Sequence, residues 1–278
     1  MNNFTLLSNI NKAASFLIIA LLFSTFSFSQ IDNSSNLNTR NNSSIINRAA
    51  SSFESFSPGT LIIPMDNTLQ GRDNGTGGFN LMAYGLVTRL LHADIPVQWA
   101  INSSKVSKDD IDFSADSRRL LPTTTSSGNV DYSGSAFIIH PGYEAAAVVV
   151  INDFNNNIIP NLGGLNGYKV KVKVYELTSS KQIEIKHVLL HKPKAALLNN
   201  GGNDDIHSRI FKYAGLNDSD YYTLGLSASD IDFNSCYTLV TEAHADENSV
   251  SQAEVNSIRN FILNGGNFFA QCAAGRSY

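Results

Sequence analysis

The chain predicts an α/β fold built on a doubly wound, mostly parallel sheet, with the second domain incomplete. Three observations carry this expectation. Apolar bursts of strand length alternate with segments whose apolar residues recur at helical spacing. One helical segment has explicit ends: Ser251 and Glu254 form an S-x-x-E capping box, and Asn264-Gly265-Gly266 stops it. Single helices between strands force right-handed crossovers and a parallel sheet covered on both faces.

In chain order, "GTLIIPMD" suits a buried strand over residues 61–65, and Met82, Leu86, Val87, Leu90 and Leu91 follow at helical spacing. "IPVQWAI" supplies a second strand over 97–101, which makes a strand–helix–strand unit. A short strand is expected over 137–140. "YEAAAVVVINDFNNNII" reads as a helix, because Glu144 sits in its first turn and no turn signal precedes the Asn run at 155–157. "YKVKVKVYEL" and "KQIEIKHVLL" alternate polar and apolar residues as half-buried strands do. "KAALLNNGG" is a small apolar strand ending in a Gly turn, followed by a helix through Ile210, Phe211 and Tyr213. "CYTLVTEAHAD" holds a strand over 237–240, then the capped helix, then "NFFAQC" as the next parallel strand.

Residues 1–29 read as a secretory signal peptide: Lys12 precedes the apolar run "AASFLIIALLFSTF", which ends in the small-x-small triplet Ser27-Phe28-Ser29. The run is short for a bilayer span, so no stable membrane span is expected after cleavage. Residues 30–58, rich in Asn and Ser, read as a flexible leader. An α/β domain is expected over 59–192 and a second, truncated one over 193–278. The 278-residue chain has 24 acidic and 20 basic residues, a net charge of -4 and no basic cluster to track a phosphate backbone, so nucleic acid is excluded as a partner. The expected partner is a small-molecule or surface ligand, and no cofactor or metal is expected.

Residues 195–278 resemble the beginning of a class I glutamine amidotransferase-like domain, with a flavodoxin-like sheet. The resemblance rests on the order "YTLVTEAHAD", "SQAEVNSIRNFILNGG", "NFFAQCAAG". It implies that Cys272 is a nucleophile on a tight strand-to-helix turn, where Ala270 and Ala274 are small enough to clear the adjacent backbone. The family's histidine and acidic partner lie later in its chain, beyond the position of Tyr278, so a fragment is expected. Within this sequence, Glu242 and His244 end the neighbouring strand on the same carboxyl edge, and His244 is the candidate base. The alternative is a buried, unreactive thiol and a solvated loop histidine. The amide of Ala273 is the implied oxyanion donor. "TEAHAD" has no glycine for a second donor, and the Gly201-Gly202 turn is the other pocket candidate. Cys236 and Cys272, at opposite ends of parallel neighbours, are expected ~15 Å apart, beyond the ~7 Å reach of a disulfide.

Other constellations are weaker. Asp66 closes the first strand at its carboxyl edge and is a pocket candidate by position. "NGTGGF" lacks the spacing and lysine of a phosphate loop and reads as a turn. "NDDIH" invites a cation at Asp204, Asp205 and His207, but helix capping is the simpler account.

Overall fold

The computed structural model describes residues 51–72, 78–157, 170–216, 219–232 and 236–278. The signal peptide, the leader up to residue 50 and most of "NGTGGF" lie outside the described residues. Two sheets organise the chain. The first has eight strands: β1 (Ser52–Phe56), β2 (Leu61–Ile63), β3 (Val97–Ala100), β4 (Ile111–Leu121), β5 (Gly128–Ser133), β6 (Phe137–Ile139), β7 (Val174–Leu177) and β8 (Lys181–Leu189). Their order is β1-β8-β3-β6-β2-β7-β4-β5. Every neighbouring pair is antiparallel.

This overturns the doubly wound, mostly parallel, flavodoxin-like expectation. β2 and β3 run in the same direction, but β6 lies between them and antiparallel to both. The hairpin β4–β5 was not anticipated. Its inward residues are few and modest, Phe113, Ala115 and Ser117 against Tyr132, while the outer face is Asp, Ser and Arg. The residues read as the end of a leader form β1, paired along its whole length with β8.

The sheet follows the period-two rule of a strand covered on both faces. Leu61 and Ile63 join one apolar cluster while Ile62 joins another; Phe137 and Ile139 likewise part from Ile138. The second cluster runs from Phe56 on one edge strand to Tyr132 on the other. The first is covered by helices α1 (Met82–His92) and α2 (Glu144–Asn156). Nine of the eleven residues of α1 are buried, polar Thr88 among them, which is the pattern of a helix enclosed on all sides rather than one lying on a surface.

What encloses α1 from behind is the second sheet. Its strands are β9 (Ala195–Leu198), β10 (Tyr222–Leu226), β11 (Leu239–Glu242) and β12 (Asn267–Ala270), in the order β10-β9-β11-β12. All three pairings are parallel. Helix α3 (Asp204–Tyr213) links β9 to β10, and α4 (Gln252–Leu263) links β11 to β12. Ala195, Leu197 and Leu239 pack in the same cluster as α1, whereas Ala196, Leu198 and Val240 meet Ile258 and Phe261 of α4. The layers are therefore large sheet, helices, small sheet, helix. Arg89 of α1 donates to the Tyr221 hydroxyl at 2.7 Å, a polar tie across the same boundary.

The predicted capping box is present in both halves: the Ser251 hydroxyl accepts from the Glu254 amide at 3.3 Å, and the Glu254 carboxylate accepts from the Ser251 amide at 2.8 Å. Ser251→Ala is expected to cost about 1 kcal/mol. Urea unfolding that shows no loss of stability would count against the cap. Among the described residues no helix is long and apolar enough to cross a membrane.

Candidate active site

Parallel pairing brings the carboxyl ends of β9, β11 and β12 to one edge, where ligands of open α/β sheets collect. β11 and β12 match residue for residue, Leu239 with Asn267 through Glu242 with Ala270, and the Gln271 amide extends the ladder onto the Glu242 carbonyl at 3.0 Å. Cys272 comes next. Its φ is +56°, in the left-handed region that side chains with a Cβ enter at a cost of about 1 kcal/mol or more. The chain then turns into α5 (Ala274–Ser277). Ala274 is fully buried beneath the turn, so the small residue there is required by packing, while the Cys272 thiol is exposed. Ser277 fastens α5 to the loop after β11 by donating its hydroxyl to the Ala245 carbonyl at 2.7 Å.

Glu242, at the end of β11, is 0 % exposed. Its carboxylate accepts from the Asn200 amide at 3.3 Å and from the His244 amide at 3.4 Å, both long. Burial therefore outweighs these bonds and pushes its pKa up to about 7. His244 faces Asp246, with Nε2 3.3 Å from the carboxylate. Gly201 is a glycine by necessity, since a Cβ there would lie 2.0 Å from the His244 carbonyl oxygen. The turn after β9 is thus pressed against the loop carrying His244. The Gly202 amide is occupied within its own turn, donating to the Asn199 carbonyl at 3.2 Å. Among the described residues no acceptor is hydrogen-bonded to the Ala273 amide.

Beneath the turn lies a residue the sequence reading placed elsewhere. His207 is buried, its Nε2 is 2.9 Å from Oε1 of Gln271, and its ring packs 5.5 Å from that of Phe269. With a carbonyl oxygen as partner, Nε2 carries the proton and Nδ1 is left buried without a partner. Desolvation lowers the pKa of His207 and keeps the ring neutral. The sequence offered only its spacing from Asp204 and Asp205, which suggested a cation. Those carboxylates are committed elsewhere: Asp204 accepts from the Gly225 amide at 2.9 Å, and Asp205 pairs with Arg209. Among the described residues no group of three or more His, Cys, Asp or Glu side chains is placed to hold a metal ion.

A polar cluster backs the site from the α4 side. Asn200 donates through Nδ2 to the Tyr278 hydroxyl at 2.6 Å and to Glu254 at 3.3 Å, and Ser227 donates to Glu254 at 2.9 Å. Burial, with the carboxylates of Glu242 and Glu254 nearby, raises the pKa of Tyr278. No sequence motif marks this cluster beyond the capping residue Glu254. Asp66 is not brought to Cys272. It lines a separate pocket whose walls all come from residues 65–135. Cys236 and Cys272 form no disulfide, and both are exposed.

No family model, curated protein or solved structure matches the chain.

Proposed function

We propose that the C-terminal module is a thiol-dependent hydrolase or acyl transferase, resembling the class I glutamine amidotransferases and carried by an exported protein. The supporting observation is the left-handed backbone of Cys272 at an exposed strand-to-helix turn. Strain of this kind persists where the surrounding structure holds a residue for use. In the proposed reaction the thiolate of Cys272 adds to the acyl carbon of an amide or ester from a small-molecule or surface ligand, and the carbonyl π electrons move to oxygen. The Ala273 amide donates to that oxygen. His244 takes the thiol proton and delivers it to the leaving amine or alcohol as the C–N or C–O bond breaks. Water, or an acceptor nucleophile, then cleaves the thioester and restores the thiol. Glu242 positions His244 by holding its amide.

A second reading is a module that keeps the fold and binds without chemistry. It draws on one observation: among the described residues none is hydrogen-bonded to the Cys272 thiol. Alkylation separates the two, because Cys236 is an exposed internal control. At pH 7, iodoacetamide followed by peptide mapping is expected to modify Cys272 ~10-fold faster than Cys236, as a thiol activated by a neighbouring base does. His244→Ala is expected to bring the two rates together. Equal rates in the unaltered protein would sink the nucleophile and leave the binding module.

A further inference from the structure

We propose that the pocket at the end of the eight-stranded sheet binds a small ligand through a primary ammonium group, with Asp66 as its anionic partner. The pocket has a volume of about 700 Å³ and is separate from the Cys272 site. The antiparallel topology assembles it. β2 and β3 run the same way and finish on this side, β6 starts here, and the hairpin β4–β5 both begins and ends here. Residues 65–68, 79, 84, 105, 108, 109 and 133–135 are therefore gathered around one opening.

Its walls are fixed from behind by Asp112, whose side chain is 0 % exposed. That carboxylate accepts from the Asn102 amide at 3.0 Å, from the Ser135 amide at 2.7 Å and from Lys105 Nζ at 2.8 Å. Lys105 also reaches the Ser135 hydroxyl at 3.3 Å. Phe79 and Tyr84 form an apolar wall, edge to face with ring centroids 5.6 Å apart. Such a pocket, part aromatic and part polar, has the make-up of a small-molecule site.

Charge selects the ligand. Lys105 is matched by Asp112, and Lys108 is matched by Asp109 at 2.7 Å. Asp66 is the lining charge with no cationic partner among the described residues. Its Oδ1 is held by the amides of Thr68 and Leu69, each at 2.8 Å, while Oδ2 is closed off from water and makes no hydrogen bond. A half-satisfied carboxylate with no counter-charge is the costly arrangement in a partly desolvated site, and burial accordingly raises its pKa. An ammonium seated against Asp66 supplies the missing charge, and with Oδ1 kept on the Thr68 and Leu69 amides it is the cover over Oδ2 that opens to admit the missing donor. An apolar group on the ligand would lie on Phe79 and Tyr84.

The protein carries its own reporter. Trp99 is its one tryptophan, and the indole N–H donates to the Ser135 carbonyl at 2.9 Å, directly behind the pocket wall. Benzylamine, benzyl alcohol and benzoate share a ring and differ in charge, so titrating each while reading Trp99 fluorescence, with calorimetry alongside, isolates the ammonium. Benzylamine is expected to bind at least ~10-fold more tightly than the other two, and Asp66→Asn to remove that preference. The asparagine side chain keeps an acceptor for the two amides, so the variant is expected to melt within a few degrees of the unaltered protein, and Cys272→Ser is expected to bind benzylamine unchanged. Equal binding of benzoate or benzyl alcohol, an undiminished preference in folded Asp66→Asn, or no response to benzylamine at ~10 mM, where even ligands near the millimolar limit register, would overturn the proposal.

Discussion

Gly85→Ala is expected to destabilise the protein by about 2–3 kcal/mol, although local propensity argues the other way. Alanine in a helix interior is better than glycine by ~1 kcal/mol. At this position a Cβ would lie 1.6 Å from the Ala214 carbonyl oxygen, 2.7 Å from its carbon and 3.3 Å from the Phe154 ring. The first two are backbone atoms at the end of α3, so no rotamer change relieves the overlap, and α1 is enclosed between the two sheets and cannot retreat. Overpacking of this kind costs 1–3 kcal/mol or more, which exceeds the propensity gain. A fall in melting temperature of ~5–10 °C is the corresponding readout for a chain of this size. Gly128→Ala is the control, because a Cβ there meets nothing within 4 Å. It is expected to lie within ~0.5 kcal/mol of the unaltered protein. If Gly85→Ala behaves like the control, α1 and the end of α3 are not in contact, and the shared core between the two sheets is wrong.

The contrast between the two halves explains what could be read from residues alone. In the C-terminal part, β9, β11 and β12 are short apolar bursts and α4 has explicit local markers, down to the reciprocal bonds of Ser251 and Glu254, whereas β10, interrupted by Gly225 and mostly unburied, carries no such signal. Periodicity and capping are local properties, and they led to parallel β11 and β12 with Cys272 at their rim. In the N-terminal part the elements were recognisable, but their order in space was not. β6 is three residues long, and nothing local tells whether it lies beyond β3 or between β2 and β3. The hairpin β4–β5 escaped notice because its outer face is hydrophilic and its inner face is held partly by polar contacts, such as the 2.7 Å bond between the Ser117 and Tyr132 hydroxyls. Both gaps favour the parallel reading, since the position of β6 between β2 and β3 and the hairpin β4–β5 are what make the sheet antiparallel. At the candidate site, the positions of Glu242 at the end of β11 and of His244 in the loop after it followed from strand order. The engagement of His207 with Gln271 did not, because it joins a helix to a strand end 64 residues later.

Glu242→Gln is expected to flatten the pH dependence of stability on the alkaline side. The folded-state pKa of Glu242 is about 7, against 4.5 for the same group in the unfolded chain. Below pH 4.5 the carboxyl is protonated in both states and its contribution is fully present. As the pH rises toward 7 the folded protein keeps the proton that the unfolded chain has lost, so the contribution declines and is gone above that value. At ~1.4 kcal/mol per unit the full rise corresponds to about 3.5 kcal/mol. About 2 kcal/mol is the better guide, because the carboxylate, though sealed, sits at the rim of its sheet where solvent screens it. His207 works in the opposite sense: its lowered pKa makes stability fall as the pH drops below 6.5. A single pH profile therefore mixes the two. The difference between variant and unaltered protein removes His207 and every other shared group. The glutamine of the variant cannot ionise; its single Oε accepts from only one of the Asn200 and His244 amides, which meet different oxygens of the carboxylate, and that loss is a constant offset across the pH range. Urea unfolding at intervals from pH 5 to pH 8 is expected to show the stability of Glu242→Gln gaining about 2 kcal/mol on the unaltered protein across that range. A difference that stays flat would mean that Glu242 titrates as an ordinary solvated carboxylate, and the buried anchor proposed to hold the His244 loop beside Cys272 would go with it.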